Sequence, residues 1–468
     1  MAGSGGVMQG VRFLVNARLA TLRADFLVGS RPQGYLVPPD YASKSVREQL
    51  GLLPAKHRRY LLVDNGRFDD LARLRNEAQE QARDVAARLK ALQVSTGESP
   101  TRKALSVEAR RVVDQFAAQI EGAAHASTGI GLAAQLEFKP HGVVGEEDIL
   151  AALWYSLGLE PSFLLRGYAR LVALNRRVAT RTLQRRADGE LGAVDDLPVV
   201  AAVDYRSAFD AGALYAQKRI THLCLPFGAL MADDRCAHAY VGPKGLVDMD
   251  SSVPVRVLRA TLVARGLMDG WRSVHRTPPA HVHLLGLGQP LILALVASVF
   301  ERVPLLTCDA TSPFKDAAQG TLYTSVPVFR RLDVGAVAAK LLAQPAGQWD
   351  CPCAHCAGQL HRQDWAAAHG LFASMSPAQR QPAKLKLGRQ DPLGRLLPML
   401  TVNPDPEALA ARIGHNHATL QTCIDALHRA KQREGGLARI TRKWVAAYPV
   451  GTQANAFQRA LDAALALL

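Results

Sequence analysis

The feature that most constrains this chain is the alternation, over its first three quarters, of short apolar runs with longer helical patterns. Six runs predict strands: Tyr60 to Val63, Gly131 to Leu136, Pro198 to Val203, His222 to Leu225, Val282 to Leu287 and Val303 to Thr307. Between them lie helix-like segments at Phe68 to Leu92, Glu146 to Ser156, Phe163 to Arg186, Ala208 to Gln217, Pro254 to Arg265 and Leu291 to Phe300. A strand followed by a helix, repeated, builds a parallel sheet with right-handed crossovers. Further runs near Arg12 to Val15 and Thr324 to Val328 leave room for eight strands. The expected fold is therefore α/β, a (β/α)8 TIM-like barrel, with an open doubly wound sheet as the alternative. Chemistry on such a barrel sits where the strands end and the loops begin.

At 468 residues the chain has room for one large domain with appendages or for two ordinary ones. Its 48% hydrophobic content predicts a packed core. The formal net charge of +15 attracts polyanions, nucleic acid first among them. The competing reading is a solvated basic surface without function. Of seven cysteines, Cys224, Cys236, Cys308 and Cys423 are scattered and three crowd into six positions. That pattern suits clustered thiolates holding a metal in a reducing compartment, not a disulfide framework. The start, MAGSGGVMQG, lacks a charged region followed by an apolar run, and no stretch approaches the ~20 apolar residues of a membrane span. The expectation is a soluble cytoplasmic protein with no membrane partner.

Two motifs carry chemistry. In Cys351-Pro-Cys353-Ala-His-Cys356, a tight turn lets three thiolates converge on one tetrahedral zinc at about 2.3 Å. A closed structural site needs a fourth ligand, for which His361, His369, His415 and His417 are candidates. The second motif runs from Cys308 to Thr324. It opens with Asp309 at the end of an apolar run, where a carboxylate is placed to attack an electrophilic carbon. Upstream, His283-Leu-Leu-Gly286-Leu-Gly288 is a strand entering glycines that let a loop bend close to a ligand. The acids Asp233, Asp234, Asp248 and Asp250 fit surface loops better than a metal site.

Taken in order, HLLGLG, Asp309 with Pro313, the run Gly320-Thr321-Leu322-Tyr323-Thr324, CxCxxC and a distant His-Asn pair resemble the tRNA-guanine transglycosylase superfamily. The resemblance spans roughly Tyr60 to Asn416 and is strongest from His283 onward. It implies a (β/α)8 barrel with a zinc-binding subdomain, exchanging guanine for a 7-deazaguanine through a covalent aspartyl–sugar intermediate. Asp309 would then be the nucleophile at C1′ of the target nucleoside. Asp64, in Asp64-Asn65-Gly66-Arg67-Phe68, would be the general acid/base; capping of the helix beginning near Phe68 is its alternative role. For base recognition the family uses a carboxylate after the next strand, a later polar residue and a glycine-containing turn. The implied equivalents are Glu137, Asp204 and Gly228 with Ala229, joined by Gly286 and Gly288. Among the zinc candidates the resemblance selects His415, in Gly414-His415-Asn416-His417, to join Cys351, Cys353 and Cys356.

The departures from the family pattern are informative. Pro313-Phe314-Lys315 stands where the tRNA enzymes have Pro-Thr-Arg, and Asn65-Gly66-Arg67 where they have Ser-Gly-Gly. They fit a diverged branch, the DNA-guanine transglycosylases, which insert 7-cyano-7-deazaguanine. The implied partners are DNA, a 7-deazaguanine base and an accessory protein that opens the duplex; the structural cofactor is zinc. The alternatives are the same exchange on tRNA and a non-catalytic zinc-bearing nucleic-acid-binding subunit. Arg166, Arg170, Arg176, Arg177, Arg181, Arg185 and Arg186, with Lys384, Lys386, Arg389 and Arg395, are candidate phosphate contacts or a solvated face. The expected organisation is an N-terminal segment over 1–55, the catalytic barrel over 56–345, and a zinc-binding subdomain with C-terminal helices over 346–468. Ala187 to Leu197, acidic and glycine-containing, reads as a loop or linker. Ser376 to Pro406, rich in proline, glycine and basic residues, is an insertion with little periodicity, and Glu407 to Leu468 is helical.

Overall fold

The computed structural model describes residues 10–16, 33–38, 48, 50, 60–67, 74, 84–85, 87–88, 90–91, 107–126, 131–147, 169–227, 240–242, 245–247, 255–324, 329–343, 362–381, 385–388, 390–448 and 454–468. In chain order the first elements are β1 (Gly10–Asn16), β2 (Tyr35–Val37), β3 (Leu61–Val63), α1 (Val107–Ala126), α2 (Leu132–Leu136), β4 (Gly142–Val144), α3 (Ala169–Ala187), β5 (Asp195–Leu197), α4 (Tyr205–Gln217) and β6 (His222–Pro226). A hairpin of β7 (Tyr240–Gly242) and β8 (Gly245–Val247) follows, then α5 (Val255–Arg272), β9 (His281–Leu285), α6 (Pro290–Val299), β10 (Leu305–Ala310) and α7 (Ser312–Ala318). The remainder is β11 (Thr321–Thr324), β12 (Arg330–Asp333), α8 (Val334–Ala343), α9 (Arg362–Ser374), α10 (Pro392–Leu396), α11 (Pro406–Lys431), α12 (Gly436–Ala446) and α13 (Ala454–Leu465).

Eight strands form one parallel sheet in the order β5-β4-β3-β2-β1-β10-β9-β6. Its two edges meet at a parallel bridge between Val199 and Cys224, where Cys224 N donates to Pro198 O and Val200 N to Cys224 O. The architecture is the expected α/β barrel, with described helices between its strands from β3 onward. Period-two alternation sorts the side chains. In β9, Val282 and Leu284 join the core beneath the helices, so His281 and His283 turn to the opposite face. In β10, Leu306, Cys308 and Ala310 do the same, leaving Thr307 and Asp309 inward. A small lumenal cluster of Leu14, Leu36, Tyr60, Leu62, Val144, Leu197, Val199 and Cys224 fills the barrel.

Several expectations need correction. Gly131 to Leu136 is not a strand: Leu132–Leu136 is the short helix α2, and the barrel strand after β3 is Gly142–Val144. The run at Pro198 to Val203 contributes one bridge, the strand being Asp195–Leu197 just before it. Of the run expected over Thr324 to Val328 only Thr324 is described, in Thr321–Thr324, which pairs antiparallel with β12 outside the sheet; 325–328 lie outside the described residues. The remaining barrel strand is β2, three residues that no periodic pattern marks.

Helix α6 is apolar on every side because the barrel lies beneath it and α5 and α12 pack against it. A second core gathers Leu322, Val334, Val337, Leu341, Leu385, Leu387, Leu393, Leu397, Met399 and Leu400. The stretch expected to be a loose insertion therefore buries five leucines and a methionine. Helix α11 joins the two cores. Ile413, Leu420, Ile424 and Leu427 pack into the barrel core, while Arg412, fully buried, donates to Met399 O, Ala317 O and Thr401 O. Among the described residues no helix is long and apolar enough to cross a membrane.

Candidate active site

Asp309 is the penultimate residue of β10, with 3% of its surface exposed. A carboxylate so buried needs donors on both oxygens. Asn16 Nδ2, at the end of neighbouring β1, donates to Oδ2 at 3.0 Å. Gly286 N donates to Oδ1 at 2.8 Å. Gly286 has φ +75°, a left-handed conformation that favours glycine, and it turns the amide inward at the end of β9. A side chain at Gly288 would meet Ala310 Cβ at 2.2 Å, so its glycine lets the β9 and β10 ends close together. His283 Nε2 stands 3.4 Å from Asp309 Oδ1.

Asp64 follows β3, also at a strand end and 8% exposed. Its amide donates to Val37 O and its Oδ1 accepts from Asn65 N at 2.8 Å. It is Asn65 whose side chain accepts from Arg67 N. Asn65 Nδ2 in turn reaches Gly145 O at 2.9 Å and Glu147 Oε2 at 3.3 Å. Gln135 Nε2, buried, bonds to Val63 O, Asp64 O and Val144 O, and so clasps the ends of β3 and β4.

Glu147 follows β4 at the barrel's mouth. Burial pushes its carboxyl up to about 7, against the Asn65 hydrogen bond and the Arg67 charge, which lower it. At the centre is Cys224, fully buried; burial first, then the charges of Glu147, Asp64 and Asp309, hold its thiol well above the ordinary range. Three carboxylates from β3, β4 and β10 thus surround one point inside the mouth. Carboxylates gathered at strand ends in this way are the raw material for acid and base roles.

The other expected site residues fall elsewhere. Glu137 is exposed at the C-terminal end of α2, not after a strand. Asp204 caps α4: its carboxylate accepts from Ser207 N at 2.9 Å and Ser207 Oγ at 2.8 Å, a reciprocal capping box. Gly228, Ala229, Asp233, Asp234, Asp248, Asp250, Cys351, Cys353, Cys356 and His361 lie outside the described residues. Among the described residues no three His, Cys, Asp or Glu side chains form a metal-holding group.

His415 and Asn416 pin the segment that follows Asp309. His415 Nε2 donates to Tyr323 O at 2.8 Å. Asn416 Oδ1 accepts from Tyr323 N, and its Nδ2 donates to Thr321 O and Pro313 O. With its hydrogen on Nε2, a neutral His415 carries the ligating lone pair on Nδ1, the arrangement usual in metal-bound histidines whose other nitrogen donates to a carbonyl. The chemistry of His415 therefore fits a zinc ligand. His417, three turns deep between the cores, packs against Phe13, and burial lowers its imidazole to about 4.

Asn16, Gln135, Glu147 and Thr307 were not singled out from the sequence. The alternation His281-Val282-His283 beside Thr307-Cys308-Asp309 was the available signal for part of this set, since period two puts the polar members on one face. Comparison with models of known families and with curated proteins finds no match for this chain.

Proposed function

We propose that the chain is a base-exchange glycosyltransferase that replaces guanine in DNA with a 7-deazaguanine, of which 7-cyano-7-deazaguanine is the form suggested by the resemblance. The observation that carries the reading is Asp309: a buried carboxylate at a barrel strand's end, both oxygens held by donors, with Asp64 and Glu147 at the ends of two other strands. An Asp309 oxygen attacks C1′ as the C1′–N9 bond breaks, and the bonding pair leaves with guanine. Asp64 supplies the proton that the departing base takes up. The incoming base gives its proton to Asp64 and attacks C1′ from the vacated side, returning the bonding pair to Asp309.

Glu147, rather than the exposed Glu137, is the carboxylate that follows the strand after Asp64. As an acceptor it suits the N1–H and exocyclic amine of a guanine-type base. Gly286 serves the nucleophile through its amide, and Gly288 serves the packing of the loop. Asp204 has a structural role. Zinc would be held by Cys351, Cys353, Cys356 and His415, and would supply rigidity to the subdomain and no chemistry at the sugar. A duplex hides C1′ from a buried aspartate, so the target nucleotide is flipped or single-stranded, with an accessory opening protein as a natural partner. Exposed Arg176, Arg181 and Arg186 on α3, with Lys386 and Arg395, are available to phosphates.

Incubation of the protein with radiolabelled guanine and either DNA or tRNA tests the reading. Label entering DNA is the expected result. Label entering tRNA alone would reassign the polymer, and label entering neither would leave a binding subunit as the better account.

A further inference from the structure

Three lumenal side chains behind the nucleophile form one hydrogen-bonded chain. His281 Nε2 lies 2.7 Å from Thr307 Oγ1, and the same hydroxyl lies 2.8 Å from His283 Nδ1. All three residues are at most 1% exposed. His283 Nε2 is buried, has no hydrogen-bond partner, and faces Asp309 Oδ1 at 3.4 Å. At the far end His281 Nδ1 is buried and likewise lacks a hydrogen-bond partner.

A hydroxyl between two imidazoles gives such a chain a direction. If His283 donated from Nδ1, Thr307 would donate to His281 Nε2. A bare His283 lone pair would then face the carboxylate, and a buried His281 Nδ1–H would have no acceptor. Both features cost free energy. In the opposite direction, His281 Nε2–H donates to Thr307, Thr307 donates to His283 Nδ1, and His283 Nε2–H points at Asp309. The end left over is then a lone pair and not an N–H. An imidazolium at His283 would present the same Nε2–H. Burial, with the imidazoles of His283 and His222 and the Arg12 guanidinium adding to it, holds His281 well below the usual imidazole range, so His281 has one proton to place.

We propose that His283, its tautomer set by Thr307 and His281, is the third donor to Asp309, completing with Gly286 N and Asn16 Nδ2 the cradle that holds the nucleophile. This rests on the reading of Asp309 as the nucleophile of base exchange. When the C1′–O bond of the covalent intermediate breaks, its electron pair returns to the carboxylate. Gly286 N–H and His283 Nε2–H stand where that charge reappears on Oδ1. His283 keeps its proton throughout, and the 3.4 Å separation shortens as charge builds, as such contacts do. His281 and Thr307 act as positioning residues.

The test has a spectroscopic arm and a kinetic arm. Nitrogen-15 spectra of the full chain assign each imidazole's tautomer, with His281→Asn and His283→Gln used to identify the resonances. A proton on His283 Nε2 is expected; an Nδ1–H tautomer with a bare Nε2 would overturn the proposal whatever the activity. In the kinetic arm, His283→Leu lowers kcat for exchange on the order of 10²-fold, the effect of deleting one such donor. Thr307→Val, which keeps the shape but breaks the chain, lowers kcat about tenfold. KM for the base stays within about twofold, and His283→Gln and Thr307→Ser recover most of the rate. Wild-type kcat in folded His283→Leu would also overturn the proposal. Absence of exchange by the wild-type protein on any nucleic acid would refute the proposed function instead, and the spectra would still decide the tautomer.

Discussion

Replacing Glu147 by glutamine separates what this residue costs the fold from what it gives the site. The carboxyl sits at about 7 in the folded chain against an ordinary 4.5, because burial outweighs the Asn65 hydrogen bond and the Arg67 charge. Between these pH values the folded state binds more protons than the unfolded one, so stability falls as pH rises through that window. Below the window the two states are protonated alike. The gap corresponds to a loss of roughly 3 kcal/mol, fully developed by pH 8. Glutamine has the same shape, keeps an oxygen for Asn65 Nδ2 and carries no charge to desolvate. Glu147→Gln should therefore match the parent near pH 4.5 and exceed it by roughly 2–3 kcal/mol at pH 8. Asp196, pushed up to about 6 chiefly by burial, titrates in both proteins and cancels in the difference. Urea denaturation at several pH values, followed by tryptophan fluorescence, measures it. A stability difference that does not change with pH would refute the burial argument. The same variant should lose base exchange, since an amide N–H donor replaces the oxygen that would accept from the base edge; a stabler protein with poorer chemistry is the mark of a site kept at the fold's expense.

Asp309→Asn should abolish exchange by at least about a thousandfold while nucleic-acid binding persists, measured by label incorporation beside a gel-shift titration. Full activity in that variant would remove the nucleophile assignment. Arg412→Met should cost roughly 3–5 kcal/mol in thermal or urea unfolding, because three buried carbonyls lose a charged donor at once. Chelation should lower the melting temperature of the parent and leave Cys353→Ser unmoved. A chelated protein that stayed folded and lost only the chemical step would contradict a purely structural metal.

The parts legible from sequence are those where a local pattern and the tertiary outcome coincide. Strands β6, β9 and β10 have five or six residues each, with apolar positions on the face beneath the helices, so their type and their inward residues follow from period two. β2 and β4 are three residues long, below the length at which any period registers. Gly131 to Leu136 is a short apolar run that periodicity alone cannot sort, and its Leu, Ala and Gln residues, good helix formers, fold as a helical turn whose Gln135 ties β3 to β4. That single misreading is why the sequence points to Glu137, and not Glu147, as the carboxylate following the next strand. Asp204 was legible in another way: Asp-x-x-Ser before an apolar helix is a capping signal. The order inside 376–406 was not legible, because its buried leucines sit on turns and short helices with no shared repeat. Nothing local announces the Asn16–Asp309 contact, which spans 293 residues and exists because β1 pairs with β10.

The distance between a structural subdomain and the chemistry is bridged by one face of α11. Arg412, His415 and Asn416, at i, i+3 and i+4, line up on a single stripe. Their acceptors are Ala317 O on α7, Tyr323 O on β11, and Pro313 O and Thr321 O around the turn that follows Asp309. The adjoining face of the same helix, through Ile413 and Leu420, is set in the barrel core. The segment beginning two residues after Asp309 thus takes its position from a helix fixed on two adjoining faces. A metal closed by His415 would hold that helix from a third direction. Damage to the second core should reach the nucleophile as a displacement of the 311–324 segment, and so appear in the rate of exchange before it appears in the integrity of the barrel.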